Sequence, residues 1–182
     1  YLTTPIYPPL SKVQSGKVMS SYVIRDSNMP HHYRPATLKD CHEIAPDMRS
    51  QDVMEIMYSH GSSPLGALQE SYKHSKVCNA IVHEDGSVVG MYGLVDSGVL
   101  ASPWLLGTDK LLDTKRVMLP AAKVWVEEML ESYPLLTNFV HADNTVSKRW
   151  LKSLGFEFIK LDKEHGVGKQ PFYQFVRIKK NV

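Results

Sequence analysis

The chain has 182 residues, 43% of them apolar, and its 21 basic and 19 acidic side chains leave a formal net charge of +2. That length and apolar content suffice for one cored domain, while the near-neutral balance excludes the basic footprint of a nucleic-acid binder. No apolar run approaches the roughly 18 residues of a membrane span, and the N-terminus has no signal-peptide core. Cys41 and Cys78 stand in no metal-binding or redox spacing, so the expectation is a soluble protein of a reducing cytosol.

Residues 1–28 differ from the rest, with Pro5, Pro8 and Pro9 breaking up the start and a polar stretch of no sustained period behind them. They are expected to form an extended N-terminal arm or an upstream segment, with the folded domain running from Met29 over residues 29–182. The domain opens with a short strand near Tyr33 to Ala36. Thr37, with Asp40 three residues on, marks the start of a helix that turns Leu38, Cys41, Ile44 and Ala45 inward and ends or kinks at Pro46. A second helix follows Ser50 and stops at Gly61, with Val53, Met54, Ile56 and Met57 as its apolar face and the two methionines as core filler. Ser63 and Pro64 start a third helix that runs through Tyr72.

VCNAIVH, EDG and SVVGMYGLV then form a hairpin around Gly86. A further strand, Val99 to Leu106, holds Pro103 and Trp104 and is expected to bend or to border an opening. The long helix behind it turns Met118, Ala122, Trp125 and Met129 inward, starts or kinks at Pro120 and ends before Pro134. Alternation predicts a strand from Leu135 to Ala142. Asn144 or Thr145 caps a short helix whose apolar stripe is Val146, Trp150, Leu151 and Leu154, and Gly155 supplies its left-handed end. FIKLD and PFYQFVRIKK close the chain as a hairpin.

The unit NTVSKRWLKSLGF, with a strand on either side, resembles the last third of the acyl-CoA N-acyltransferase superfamily (GNAT), and the order of elements is similar over Tyr33 to Lys180. The resemblance implies an α/β (α+β) single domain with a mixed, mainly antiparallel sheet flanked by helices, splayed between its fourth and fifth strands. It also implies acetyl-CoA as donor and an amine as acceptor. The family's usual proton donor, a Tyr four residues before the Gly, is here Leu151, and a hydrocarbon donates no proton.

In that family a Gly-rich loop at the start of the long helix holds the diphosphate. Here Gly107 stands alone in GTDKLLDTKRVMLPAA, which leaves Lys115 and Arg116 as the candidate phosphate contacts, against their plainer role as solvated surface. His141, at a strand end, is the candidate catalytic base, against a satisfied surface histidine. Asp96 before Ser97 and Gly98 is a turn former. Asn144 either touches a pantetheine arm or only caps its helix, and Trp104 either lines the splay or packs in the core. The histidines show no HExxH or comparable pairing, so no metal site is expected.

RPATLKD, PWLLGTDKLL and YPLLTNFVHADNTVSKRWLKSLGFEF further resemble phage internal virion or morphogenesis proteins typified by the gene 13 product of T-seven-like podoviruses, which carry a GNAT-like domain. That resemblance implies virion or assembly proteins as partners, and host cytoplasm and virion as location. Two functions follow: a non-enzymatic virion assembly component that has kept the fold, or an acetyl-CoA-dependent N-acetyltransferase acting by direct attack of the amine.

Overall fold

The structure, a computed structural model, describes residues 31–179, apart from the side chains of His31, Lys115 and Arg116. The arm assigned to residues 1–28 and a start at Met29 lie outside the described residues. The elements follow the order read from the sequence: β1 (His31–Pro35), α1 (Leu38–Ile44), α2 (Ser50–His60), α3 (Pro64–His74), β2 (Ser75–His83), β3 (Val88–Asp96), β4 (Leu100–Gly107), α4 (Lys110–Ser132), β5 (Leu135–His141), α5 (Thr145–Ser153), β6 (Glu157–His165) and β7 (Gln170–Ile178).

Local chemistry sets most of the boundaries. The Asp40 carboxylate accepts the Thr37 N–H at 2.7 Å and pairs with the Arg34 guanidinium at 2.7 Å, so the first turn of α1 is tied back to β1. Ala45–Asp47 form a 3₁₀ turn around Pro46. Ser63 Oγ accepts the Gly66 N–H, with Pro64 at the first position of α3, and Asn144 Oδ1 accepts the Ser147 N–H at 3.0 Å to start α5. Gly61, Gly86 and Gly155 all take positive φ, at 66°, 83° and 83°, where a side chain would be strained.

Seven strands form one sheet in the order β1-β2-β3-β4-β5-β7-β6. Every neighbouring pair is antiparallel except β4 and β5, which run parallel and pair only at Leu100 with Leu135 and Ala101 with Leu136. Beyond those two rungs the strands part, and the backbone of β4 from Ser102 to Gly107 has no ladder on that side. Alternation along β2 sorts the helices into two layers. Ala80 and Val82 pack with Cys41, Ile44 and Leu68 beneath α1 and α3, whereas Ile81 packs with Leu111 and Met118 of α4 on the opposite face.

Some expectations need correction. Leu38 of α1, Met54 and Met57 of α2 and Val146 of α5 are exposed rather than inward, because each sits at the rim of its helix stripe, where helical period does not say which neighbour turns in. The methionines are therefore not core filler. Helix α4 begins at Lys110, ahead of Pro120, which lies inside it at an exposed position. Strand β4 starts at Leu100, within a residue of the expected Val99, which is exposed in the preceding turn.

Candidate active site

The parted ends of β4 and β5 open into a cavity of about 1220 Å³ that reaches both faces of the sheet. Trp104 of β4, Phe139 of β5 and Trp150 and Leu151 of α5 make its apolar walls. Where a parallel ladder stops, its backbone groups need other partners. Asn138 supplies one, its Nδ2 donating across the gap to the Pro103 carbonyl at 3.1 Å.

Helix α2 supplies two more, because Asp52 and Glu55 stand three residues apart and so share one helix face. Asp52 Oδ2 accepts the Gly107 N–H at the end of β4 at 3.2 Å, and its Oδ1 pairs with the buried Arg49 guanidinium at 3.0 Å. One turn on, Glu55 Oε1 accepts the His141 N–H at the end of β5 at 3.0 Å and the Asn144 Nδ2 at 2.8 Å. Two carboxylates of one helix thus hold the two parted strand ends. The C-terminus of α2 is fixed in turn by the β6–β7 turn, where the Gly168 and Val167 amides donate to the Tyr58 and Ser59 carbonyls at 2.8 and 3.3 Å.

Glu55 lines the cavity. Burial pushes its carboxyl up to about 7, against the pull of the hydrogen bonds from Asn144 and His141, so the group exchanges its proton near neutrality. Ser59, His60 and His165 line the same region, and burial followed by the charge of His165 holds the His60 imidazole below its ordinary value. Among the described residues no group of three or more His, Cys, Asp or Glu is placed to hold a metal ion.

Of the residues singled out in the sequence, Trp104 lines the cavity, with its Nε1 donating to Ser75 Oγ at 2.8 Å. Asn144 is buried beside the cavity with both ends of its amide committed, one to the α5 cap and one to Glu55. Those two bonds use one of its two N–H groups and one lone pair of its oxygen. The His141 side chain is buried beside Tyr58 and Phe172, with ring centroids at 5.5 and 5.1 Å, and its Nδ1 accepts the Asp143 N–H at 3.3 Å. It lies outside the cavity lining; what His141 sends to Glu55 is its backbone N–H. Lys115 and Arg116 lie in the second turn of α4, their side chains outside the described residues. Asp96 accepts the Gly98 N–H at 2.8 Å as a turn residue. Glu55 is the group the sequence concealed.

Several amides around the start of α4 are already engaged. The Gly107 and Thr108 amides donate to Asp52 and to the Val89 carbonyl, and those of Leu111 and Leu112 donate to the Thr108 and Asp109 carbonyls. The space a Cβ on Gly107 would need is filled by the Val89 carbonyl at 2.6 Å and the Leu111 side chain at 2.8 Å. This glycine therefore serves close packing rather than a phosphate cradle. The apolar gap between β4 and β5, by contrast, has room for an extended arm.

No protein-family model and no curated protein sequence matches this chain. Solved structures do. An acetyltransferase of the GNAT family from Bacillus anthracis superposes with a TM-score of 0.63 at 11% identity, over 84% of this chain and 96% of its own. Spermidine N-acetyltransferase from Vibrio cholerae, solved with CoA and spermine, gives 0.63 at 13% identity over 82% and 96%. A GCN5-related N-acetyltransferase from Kribbella flavida gives 0.61 at 19% identity over 82% and 98%. Identities this low speak for architecture alone, and with the β4–β5 splay and the strand order they establish that the chain has the GNAT acetyltransferase fold.

Proposed function

We propose that the protein transfers an acyl group from a thioester to an amine, with the reaction taking place where β4 and β5 part. The carrying observation is Glu55, a carboxyl that burial raises to about 7 and that lines a cavity of about 1220 Å³. In this scheme the ionised Glu55 takes the proton from the amine as its nitrogen attacks the thioester carbonyl carbon. The C–N bond forms, the C–S bond breaks, and sulfur leaves as thiolate. Leu151 lines the cavity and offers no proton, so the thiolate takes one from water. The GNAT neighbours named above support this reading, and the pair of CoA and spermine in one of them illustrates the substrates such a fold accommodates.

The test is amine-dependent release of free thiol from acetyl thioesters, measured for the wild-type chain and for Glu55→Gln. Release that depends on the amine and falls at least about hundredfold in the variant is the expected result. Release that is unchanged in the variant removes Glu55 from the scheme.

A second reading keeps the fold without the chemistry, as a virion assembly component acting in host cytoplasm and virion beside other phage proteins. Leu151 at the proton donor's place and the engaged amides at the start of α4 favour it. Absence of thiol release with every amine, together with co-purification with virion core or portal proteins, is the outcome that selects it.

A further inference from the structure

Beside the start of α4 lies a second depression, of about 460 Å³, lined by Glu43, Asp47, Asp109, Thr108 and Lys110. Three of these side chains are carboxylates. Lys110 is already paired with Asp85 at 3.2 Å, and Glu43 is held in place by accepting the Val88 N–H at 2.8 Å. Asp113 adds a further carboxylate in the first turn of the helix. A helix start favours anions through its free amides and its dipole, yet here the Leu111 and Leu112 amides donate to the Thr108 and Asp109 carbonyls, the Gly107 and Thr108 amides just before the helix are bonded internally, and acidic side chains lie alongside. A diphosphate placed against these carboxylates would meet like charge.

The other end of the opening is different. From Ser102 to Leu106 the β4 backbone has no ladder partner on the β5 side, the Pro103 carbonyl alone being met by Asn138, and Trp104, Phe139, Trp150 and Leu151 line the gap with apolar surface. That is a place for an uncharged, amide-bearing chain.

We propose that the donor is an acyl thioester carried on a pantetheine-type arm without a nucleotide diphosphate, gripped in the β4–β5 gap and not at the start of α4. This rests on the acyl-transfer reading and departs from it only in the identity of the donor's far end.

Equilibrium titration of the full chain with pantetheine, with CoA and with adenosine 3′,5′-bisphosphate tests it. Pantetheine binding as tightly as CoA, to within about threefold, with no saturable binding of the bisphosphate, is the expected result. A double variant, Glu43→Gln with Asp109→Asn, is expected to tighten CoA binding while leaving pantetheine unchanged, because only the nucleotide meets those carboxylates. CoA binding more than about tenfold tighter than pantetheine, and displaced by the bisphosphate, overturns the proposal and leaves acyl transfer standing. Binding of neither thiol, with no thiol release from S-acetylpantetheine or acetyl-CoA, overturns both.

Discussion

Replacing Glu55 by Gln is expected to stabilise the fold above neutral pH while abolishing the activity. Gln retains an oxygen that can accept from the His141 N–H and the Asn144 amide, now at 3.0 and 2.8 Å, so geometry is kept and only the charge is removed. In the folded protein burial raises the Glu55 carboxyl from an ordinary value of 4.5 to about 7. The unfolded chain therefore gives up this proton near 4.5 while the folded protein holds it to about 7. A raised acid stabilises the fold fully below the lower value, loses that contribution as pH rises between the two, and adds no further pH dependence above the higher one. At about 1.4 kcal/mol per unit, the ionised group costs the fold about 3 kcal/mol at pH 8. For a chain of this size that corresponds to about 6–12 °C in melting temperature. Urea unfolding of both proteins from pH 4 to 9 is the assay. The wild type should weaken relative to Glu55→Gln across that window and stay weaker above it, with both equal near pH 4. Parallel stability curves would show that Glu55 ionises freely in the folded state, and the proton-acceptor role would fall with them.

Asn144→Ala should cost about 1 kcal/mol through loss of the α5 cap, and because the Asn144 bond pulls Glu55 down, it should also move the alkaline end of the pH–stability window upward. Asp52→Ala strips the ion pair from a buried Arg49 and an acceptor from Gly107; the expected loss is about 3–5 kcal/mol, read as a lower urea midpoint. Leu151→Tyr places a phenol on the wall of the gap and should speed thiol release about tenfold or more under the acyl-transfer reading, at a packing cost of about 1–3 kcal/mol; an unchanged rate counts against thiolate protonation as a slow step.

Most of the fold was legible because its boundaries are written locally. Thr37 with Asp40, Ser63 with Pro64, Asn144, and the glycines at 61, 86 and 155 all act within a few residues of themselves, so one short window holds both the cause and the consequence. Side-chain orientation at the edge of a stripe was not legible, which is why Met54, Met57 and Val146 are exposed against expectation. Trp104 was correctly placed beside the opening, since a Pro and a Trp in a strand flank a region where the ladder fails. Asn144 caps α5 as one of its two expected roles, with an added bond to Glu55 that the sequence did not suggest. Glu55 itself was hidden because a single carboxylate on a helix is ordinarily solvated, and its partners stand 86 and 89 residues away. The only signal available was its spacing from Asp52, which puts two acids on one face of a helix otherwise read for its apolar side. The phosphate site shows the converse: the missing glycines were visible at once, but the carboxylates of Glu43 and Asp47 at that place come from a different part of the chain.

The central claim is that the β4–β5 opening is a reaction site served by Glu55. The pH dependence of single-turnover thiol release from S-acetylpantetheine, at saturating amine, tests it most directly. The expected rate rises tenfold per unit at low pH and levels off near 7, as Glu55 loses its proton, with no such rise in Glu55→Gln. A flat profile, or one shared by the wild type and the variant, would contradict it.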